Sequence, residues 1–237
     1  MTAAWRDVVQ RADLPIVIIS HNQLAYLREL LGWLVAAGHQ QLTILDNAST
    51  FEPLVEFLDS CPHDVIRLDS NLGHTSPWDS GLASRFEGPF VVTDPDVLPD
   101  PGCPPDAVEH FQELLLRHPD FDKAGFGLLL DDIPECYPHR SVVRRWEAPF
   151  WERAVEPGVF AAHIDTTFAV HRPRTPYKKT EALRTGSPYV ARHLPWYRDP
   201  ADQDGETAHF FHHRRPDVGY WNRLDLPLAV RDPHGAS

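Results

Sequence analysis

The sequence predicts an α/β fold in which helices flank a mostly parallel central sheet, followed by a loop-rich C-terminal region. Through the first hundred residues, short β-branched runs alternate with leucines at helical spacing, a pattern typical of strands joined by right-handed crossover helices. The 23 prolines cluster after residue 94, which predicts a regular first half and a looser second half. A length of 237 residues and a hydrophobic fraction of 42% suit one large domain with a sizeable core.

Four strands and three helices are expected in the first half. The first predicted strand, residues 16–19, is a short β-branched run, as in a buried parallel strand. The strands are residues 16–19, 42–45, 65–68 and 90–93, and the helices are residues 24–35, 53–58 and 77–86. Gly38 is the expected C-terminal cap of the first helix, because glycine adopts the left-handed conformation that often ends a helix.

The second half has a weaker pattern. Its expected elements are a helix at 107–116, strands at 124–130 and 164–170, a structured loop at 184–200 and a helix at 206–214. This last helix carries His209, His212 and His213 on one face. A zinc site there is conceivable, but no carboxylate or cysteine completes it locally, so a solvated or partner-facing stripe is the favoured interpretation.

Polar side chains follow each strand of the first half. They form four clusters, at residues 21–22, 46–50, 71–74 and 94–96. Because ligands of such sheets bind beyond the carboxyl ends of the strands, we expect these clusters to meet at one rim and form the functional site.

Charge and cysteine content exclude several classes of protein. The net charge of -12 argues against a nucleic-acid partner, since such binding depends on cationic contacts to phosphate. The three cysteines lack CxxC spacing, which favours a reducing compartment. The sequence has no signal peptide and no apolar stretch of transmembrane length, so a cytoplasmic protein is expected. It leaves open whether the chain forms a homo-oligomer.

Asp94 and Asp96 directly follow the fourth predicted strand. Two carboxylates one residue apart can hold Mn²⁺ or Mg²⁺ and leave coordination positions for the two phosphates of a nucleotide sugar. Such a cation makes an acidic rim attractive to a diphosphate and stabilises the charge on a departing nucleotide. The alternative is that this proline-punctuated segment is only a turn.

The ordered series of these segments resembles the nucleotide-binding half of family 2-like glycosyltransferases with the GT-A fold. The resemblance is carried by PIVIISHNQLAYLRELLGWL, LTILDNAST, RLDSNLGH and FVVTDPDV. It implies that Ser20 and Asn22 lie beside the base, that Asp46 contacts the base or ribose, and that Asn71 belongs to the donor site. It further implies that the aspartates of the DPD segment bind the metal and the ribose, with uridine the commonest base.

The second half resembles a narrower set of bacterial glycosyltransferases. The matching segments are GFGLLLDDIPECYP, RRWEAPFW, HIDTTFAVHRP and PYVARHLPWYRD. The resemblance divides the chain into a nucleotide-sugar half (1–100) and an acceptor half (101–237) of one domain.

Three further groups are candidates from the second half. His193 is the candidate third metal ligand, the alternative being a histidine packed between Pro195 and Trp196. Asp131 and Asp132 end a predicted strand, and either can bind acceptor hydroxyls or remove the acceptor proton. Asp165 is the rival base, because its apolar flanks are expected to raise its pKa.

The function predicted from the sequence is metal-dependent transfer of a hexose from a nucleotide diphosphate sugar to a carbohydrate or other hydroxyl acceptor. One alternative is a nucleotide-sugar-binding protein or partner subunit without turnover. The other is a sugar nucleotidyltransferase, which would show a Gly-rich, basic loop after the first strand.

Overall fold

The computed structural model describes residues 13–198 and 204–215. The fold is mixed α/β, as predicted. Its helices are α1 (Leu24–Ala36), α2 (Glu52–Ser60), α3 (Ser76–Asp79), α4 (Ala107–Arg117), α5 (Arg140–Glu147) and α6 (Gly205–His213). Its strands are β1 (Ile16–Ser20), β2 (Leu42–Asp46), β3 (Asp64–Arg67), β4 (Phe90–Thr93), β5 (Val97–Pro99), β6 (Lys123–Leu128), β7 (Ala154–Glu156), β8 (Val159–Ala161), β9 (Ala169–His171) and β10 (Ala182–His193). Short 3-10 turns occur at Ala83–Arg85, Ala148–Trp151 and Leu194–Tyr197.

The strands that the structure describes form one sheet in the order β3-β2-β1-β4-β9-β6-β10-β8-β7, with β5 paired to β10. The first four strands in this order are mutually parallel. Strand β9 lies antiparallel between β4 and β6, and β10 runs parallel to β6. The carboxyl ends of β1, β2, β3 and β4 therefore meet at one rim, as the sequence predicts.

The larger part of the core lies between the sheet and helices α1, α2 and α4. Leu27, Leu30 and Leu34 of α1 and Phe111 of α4 are fully buried there. On the opposite face of β1 and β4, a smaller apolar cluster is covered by α3 and the 3-10 turn at Ala83–Arg85. This distribution explains why β1 and β4 are buried at every position rather than alternating between buried and exposed residues.

Three expectations about the elements are wrong. The segment 184–200, expected as a loop, contains most of the twelve-residue strand β10. Its mixed composition hides it, because it pairs with β6, β8 and β5 at different points and is irregular between Thr185 and Val190. Only the last two residues of the expected strand 164–170 lie in a strand, β9 (Ala169–His171), and the expected helix 77–86 is the single turn α3 followed by a 3-10 turn.

The outer parts of the expected division at residue 100 (1–12 and 216–237) lie outside the described residues, as do residues 199–203. Within the described ranges, no helix has the length and apolar character required to cross a membrane.

Candidate active site

Asp94 and Asp96 lie where β4 ends and the short strand β5 begins. Strand β5 pairs antiparallel with the end of β10, with Val97 opposite His193. The backbone N–H of Leu194 also donates to the carbonyl of Asp96 at 2.8 Å. This pairing brings the last residue of β10 beside the DPD segment.

His193 lies beside Asp96, with 3.5 Å between its Nε2 atom and Oδ2 of the carboxylate. The same ring packs against Trp196 at 4.7 Å between centroids. The ring of His193 therefore contacts both a carboxylate of the DPD segment and the indole of Trp196. Its Nδ1 atom is buried and has no hydrogen-bond partner among the described residues.

The two carboxyl groups of the DPD segment are electrostatically strained. Burial raises the pKa of Asp94 well above its usual value; the charges of Asp96 and Asp165 add to this, and the hydroxyl of Thr166, which donates to Oδ2 at 2.6 Å, offsets part of it. Burial also raises the pKa of Asp96, while His193 acts in the opposite direction. A divalent cation would relieve this repulsion.

The side chains at the DPD segment suit a hard divalent cation whose remaining coordination positions are filled by substrate oxygens. One carboxylate and one imidazole, those of Asp96 and His193, approach each other, and Asp94 is bonded to Thr166. In the described ranges, no three His, Cys, Asp or Glu side chains are grouped so as to hold a metal ion by themselves. Mg²⁺ and Mn²⁺ often use only one or two carboxylates together with substrate phosphates, so these residues fit such a cation.

The predicted donor-side residues lie at the ends of β1, β2 and β3. Ser20 is fully buried, and its hydroxyl has no partner among the residues described. Asn22 has a left-handed φ of 53°, and its Oδ1 atom accepts the backbone N–H groups of Thr50 and Phe51 at 2.7 and 2.9 Å. Asn22 therefore holds the loop after β2 against the loop after β1.

Asp46 and Asn71 make mainly local bonds. Oδ1 of Asp46 accepts the N–H of Ser49 at 3.2 Å, and Asp46 is only 3% exposed. Oδ1 of Asn71 accepts the N–H of Gly73 at 2.8 Å. The structure thus brings Ser20, Asn22 and Asp46 to adjoining parallel strand ends and places Asn71 on the next loop.

Sequence reasoning missed Asn47, which ties two loops of the rim together. Its Oδ1 atom accepts the N–H of Leu72 at 3.2 Å, and its Nδ2 atom donates to the hydroxyl of Ser76 at 3.1 Å and to the carbonyl of Gly73 at 3.3 Å. A buried asparagine directly after a strand was the available signal, since buried amides need several partners.

Asp132 is engaged by its neighbours. Its carboxylate accepts the hydroxyl of Tyr197 at 2.6 Å and the guanidinium of Arg192 at 2.7 Å. Burial works to raise the pKa of Asp132, but these two hydrogen bonds outweigh it and the pKa is lowered. Asp131 is exposed, and its carbonyl accepts a hydrogen bond from Arg144 at 2.9 Å.

Asp165 lies in the loop before β9 and corrects one expectation. Desolvation raises its pKa, but the charges of Arg184 and Lys179 and the hydrogen bonds from Thr167 outweigh it and lower the pKa to about 2. The expected rise is therefore wrong, because cations from distant parts of the chain, not the apolar flanks, control this carboxyl. The charge of Asp165 also contributes to the raised pKa of Asp94, and Thr166, the next residue, bonds that carboxyl.

The histidine face of α6 is turned partly toward the rim. His209 hydrogen-bonds the hydroxyl of Thr50 at 2.9 Å and stacks on His213 at 3.9 Å between centroids. His212 is exposed and contacts the ring of His213. Among the described residues, these histidines form no group of three or more potential ligands that could hold a metal ion.

Comparison with known proteins bears on the fold. No family model and no curated protein matches the sequence. The chain is similar in structure to a mannosyltransferase from Pyrobaculum calidifontis solved with GDP-mannose and Mn²⁺, at a TM-score of 0.51 and 11% identity over 84% of this chain. The fold is GT-A-like. The chain spans 65% of the length of that mannosyltransferase.

A second solved structure matches at a lower TM-score. Glucosyl-3-phosphoglycerate synthase from Mycobacterium tuberculosis matches at a TM-score of 0.48 and 12% identity, over 91% of this chain and 86% of its own length.

Proposed function

We propose that this protein is a metal-dependent glycosyltransferase that moves a sugar from a nucleotide diphosphate sugar to a hydroxyl acceptor. The observation that carries the proposal is the approach of His193 to Asp96 beyond β4, within a GT-A-like fold. A carboxylate and an imidazole from different elements converge at the rim where such sheets bind ligands.

Asp96 and His193 are the proposed metal ligands, and Asp94 is the neighbouring carboxylate of the site. Mn²⁺ or Mg²⁺ held there supplies positive charge for the donor diphosphate and for the departing nucleotide. Thr166 holds Asp94 by its hydroxyl, which fixes that carboxyl beside the proposed metal ligands. Ser20, Asn22, Asp46 and Asn71 form the proposed nucleoside side of the site.

The acceptor side is proposed to lie near Asp131, Asp132 and Asp165. Inverting transfer requires a carboxylate that takes the acceptor proton opposite the leaving group. Asp132 is already bonded to Arg192 and Tyr197, and the low pKa of Asp165 makes it a weak base. Asp131 is therefore the preferred base for an inverting reaction. If a variant without the Asp131 carboxylate keeps its transferase activity, retention of configuration is favoured.

The donor base is proposed to be uracil, the commonest in enzymes that the sequence resembles, with guanine as the alternative because the structurally similar mannosyltransferase was solved with GDP-mannose. A panel of UDP- and GDP-sugars with and without Mn²⁺, read by thermal shift, tests both, since a bound ligand stabilises the folded state. Stabilisation by a nucleotide diphosphate only when Mn²⁺ is present supports the proposal. If no nucleotide stabilises the protein in either condition, the proposal fails.

A binding protein without turnover is the second candidate. It is favoured by the bonded state of Asp132 and the low pKa of Asp165, which leave two of the three expected bases poorly suited to proton removal. Release of free nucleotide from the sugar donor that binds best decides between the candidates. A transferase releases nucleotide slowly by hydrolysis and faster with acceptor, whereas a binding protein leaves the donor intact.

A further inference from the structure

The segment 204–215 packs onto the loops that carry the proposed nucleoside side of the site. Helix α6 starts after Asp204, whose carboxylate accepts the N–H of Thr207 at 2.7 Å. Phe210 is only 6% exposed and packs edge-on to His21 at 6.3 Å between ring centroids. The helix is therefore anchored by an apolar contact at the loop after β1.

Glu206 caps a helix that lies far away in the sequence. Its two carboxylate oxygens accept the backbone N–H of Ala25 at 3.1 and 3.3 Å, in the first turn of α1. The N-cap residue of α1, Gln23, makes no side-chain cap hydrogen bond. The carboxylate of α6 thus satisfies and electrostatically stabilises the helix end that follows Ser20 and Asn22.

The other contacts of this segment reach the next two loops. His209 hydrogen-bonds the hydroxyl of Thr50 and lies 5.4 Å from the ring of Phe51 between centroids, in the loop after β2. Nη1 of Arg215 donates to the carbonyl of Asn71 at 3.3 Å, in the loop after β3. Three separate loops of one rim are therefore joined by a single short segment.

His21 lies at the centre of this arrangement. Its Nδ1 atom lies 2.9 Å from the carbonyl of Asn47, and its Nε2 atom lies 3.2 Å from Nδ2 of Asn22 and 3.4 Å from the carbonyl of His213. A neutral ring that donates from Nδ1 accepts the Asn22 amide at Nε2. The ring thus links the loops after β1 and β2 directly beneath the end of α6.

We propose that α6 is a positioning element of the donor site, and that its docking and the binding of a nucleoside diphosphate reinforce each other. The inference rests on the proposed function. The contacts of the segment 204–215 reach the backbone N–H of Ala25, the carbonyl of Asn71, the hydroxyl of Thr50 and the rings of His21 and Phe51, all in loops that follow β1, β2 and β3 or in the first turn of α1. Docking of α6 and binding of the nucleotide order the same loops. The two events are therefore cooperative, because whichever comes first bears the entropic cost of ordering those loops.

The test compares the affinity of UDP and GDP in the presence of Mn²⁺, measured by calorimetry on the full chain. Glu206→Ala is expected to lower the affinity for whichever of UDP and GDP binds the wild type more tightly. The expected loss is about tenfold, within the usual range of coupling between two sites. Glu206→Gln, which keeps an acceptor for Ala25, is expected to recover part of the loss. His212→Ala is the matched control, because this exposed side chain lies on the same helix and contacts the ring of His213 rather than the loops of the rim.

Hydrogen exchange supplies the reciprocal measurement, which a purely structural role of Glu206 would leave unchanged. The nucleotide should slow exchange at the amides of α6 in the wild-type protein, since coupling between two sites is mutual. If affinity is the same in Glu206→Ala and the α6 amides are not protected, the inference is wrong while the proposed function stands. If neither nucleotide binds the wild type, the proposed function itself fails. Should Glu206→Ala not fold, Glu206→Gln and the exchange measurement on the wild type decide the matter.

Discussion

Nε2 of His193 lies 3.5 Å from Oδ2 of Asp96, although the two residues come from opposite halves of the chain. The strand pair β5–β10 creates this contact by placing Val97 opposite His193. Because the pair combines one carboxylate with one imidazole, it suits a divalent cation that also binds substrate phosphates.

His193→Ala is expected to weaken Mn²⁺ binding, measured by calorimetry with UDP or GDP present. The expected loss is about 10–100-fold, the size found when groups that support a metal site are removed. His63→Ala is the control, since His63 precedes β3 at the end of the sheet opposite the proposed site. Equal Mn²⁺ affinity in the two variants would remove His193 from the metal site.

Asp94→Asn is expected to stabilise the protein in the absence of metal. The pKa of Asp94 is raised in the folded state by burial and by Asp96, so folding stability falls as pH rises from the unfolded pKa of 3.8 toward the raised value. The amide removes this cost and retains an acceptor for Thr166. The melting temperature at pH 7 should rise by about 2–4 °C, which corresponds to roughly 1 kcal/mol.

The same variant should lose the stabilisation by Mn²⁺ with nucleotide that we expect of the wild type. Asp59→Asn, an exposed position in α2, provides the comparison. A lower melting temperature of metal-free Asp94→Asn would mean that the carboxylate is well accommodated without a cation, against the electrostatic argument for the site.

Gly125→Ala is expected to destabilise the fold by roughly 3 kcal/mol or more, because the added methyl group overpacks a closely packed sheet. A Cβ atom at this position would lie 2.2 Å from the carbonyl oxygen of Phe168 and 2.6 Å from Cβ of Ala169. Urea unfolding measures the change. Gly32→Ala is the opposite control: it lies on an exposed face of α1 with open space around it, and it should stabilise by about 1 kcal/mol through helix propensity.

His171 is expected to make the protein acid-sensitive below pH 6.5. Burial, aided by the charge of Lys123, holds the pKa of His171 well below its usual value. As the pH falls below 6.5, His171 therefore binds a proton in the unfolded chain but stays neutral in the folded chain. Stability is then complete above pH 6.5 and falls as the pH drops, by up to about 1.4 kcal/mol per pH unit from this group.

His171→Phe should flatten that dependence, since the ring stacks on Phe90 at 5.5 Å and an aromatic replacement keeps the contact. Urea unfolding at pH 7.5 and pH 5.0 compares the two proteins. An equal loss of stability in both would show that His171 does not contribute to acid sensitivity.

Local pattern was enough to predict the strands of the first half and their shared rim. Strand β4 has the predicted bounds, and β1 and β2 each extend one residue further. These strands are short, mostly apolar runs rich in β-branched residues, and a buried parallel strand needs little more than that. Strand β10 was missed because its pairing partners, not its own composition, make it a strand.

For the site as for the strands, the sequence identified features that depend on local pattern and missed those that depend on contacts between remote segments. The sequence identified Asp94 and Asp96 as candidates from residue type and position after a strand, and His193 as an imidazole on a predicted late loop. It gave the wrong direction for the pKa of Asp165, because Arg184 and Lys179 approach that carboxyl only after folding.

The sequence by itself determined the α/β class, the positions of the first strands and the rim where the polar clusters meet, since periodicity and strand ends are local properties. The tertiary structure alone decided that His193 lies beside Asp96, that Arg192 and Tyr197 bond Asp132, and that Glu206 caps α1. Distances between side chains from remote segments depend on strand pairing and helix packing across the whole chain, which no local pattern specifies.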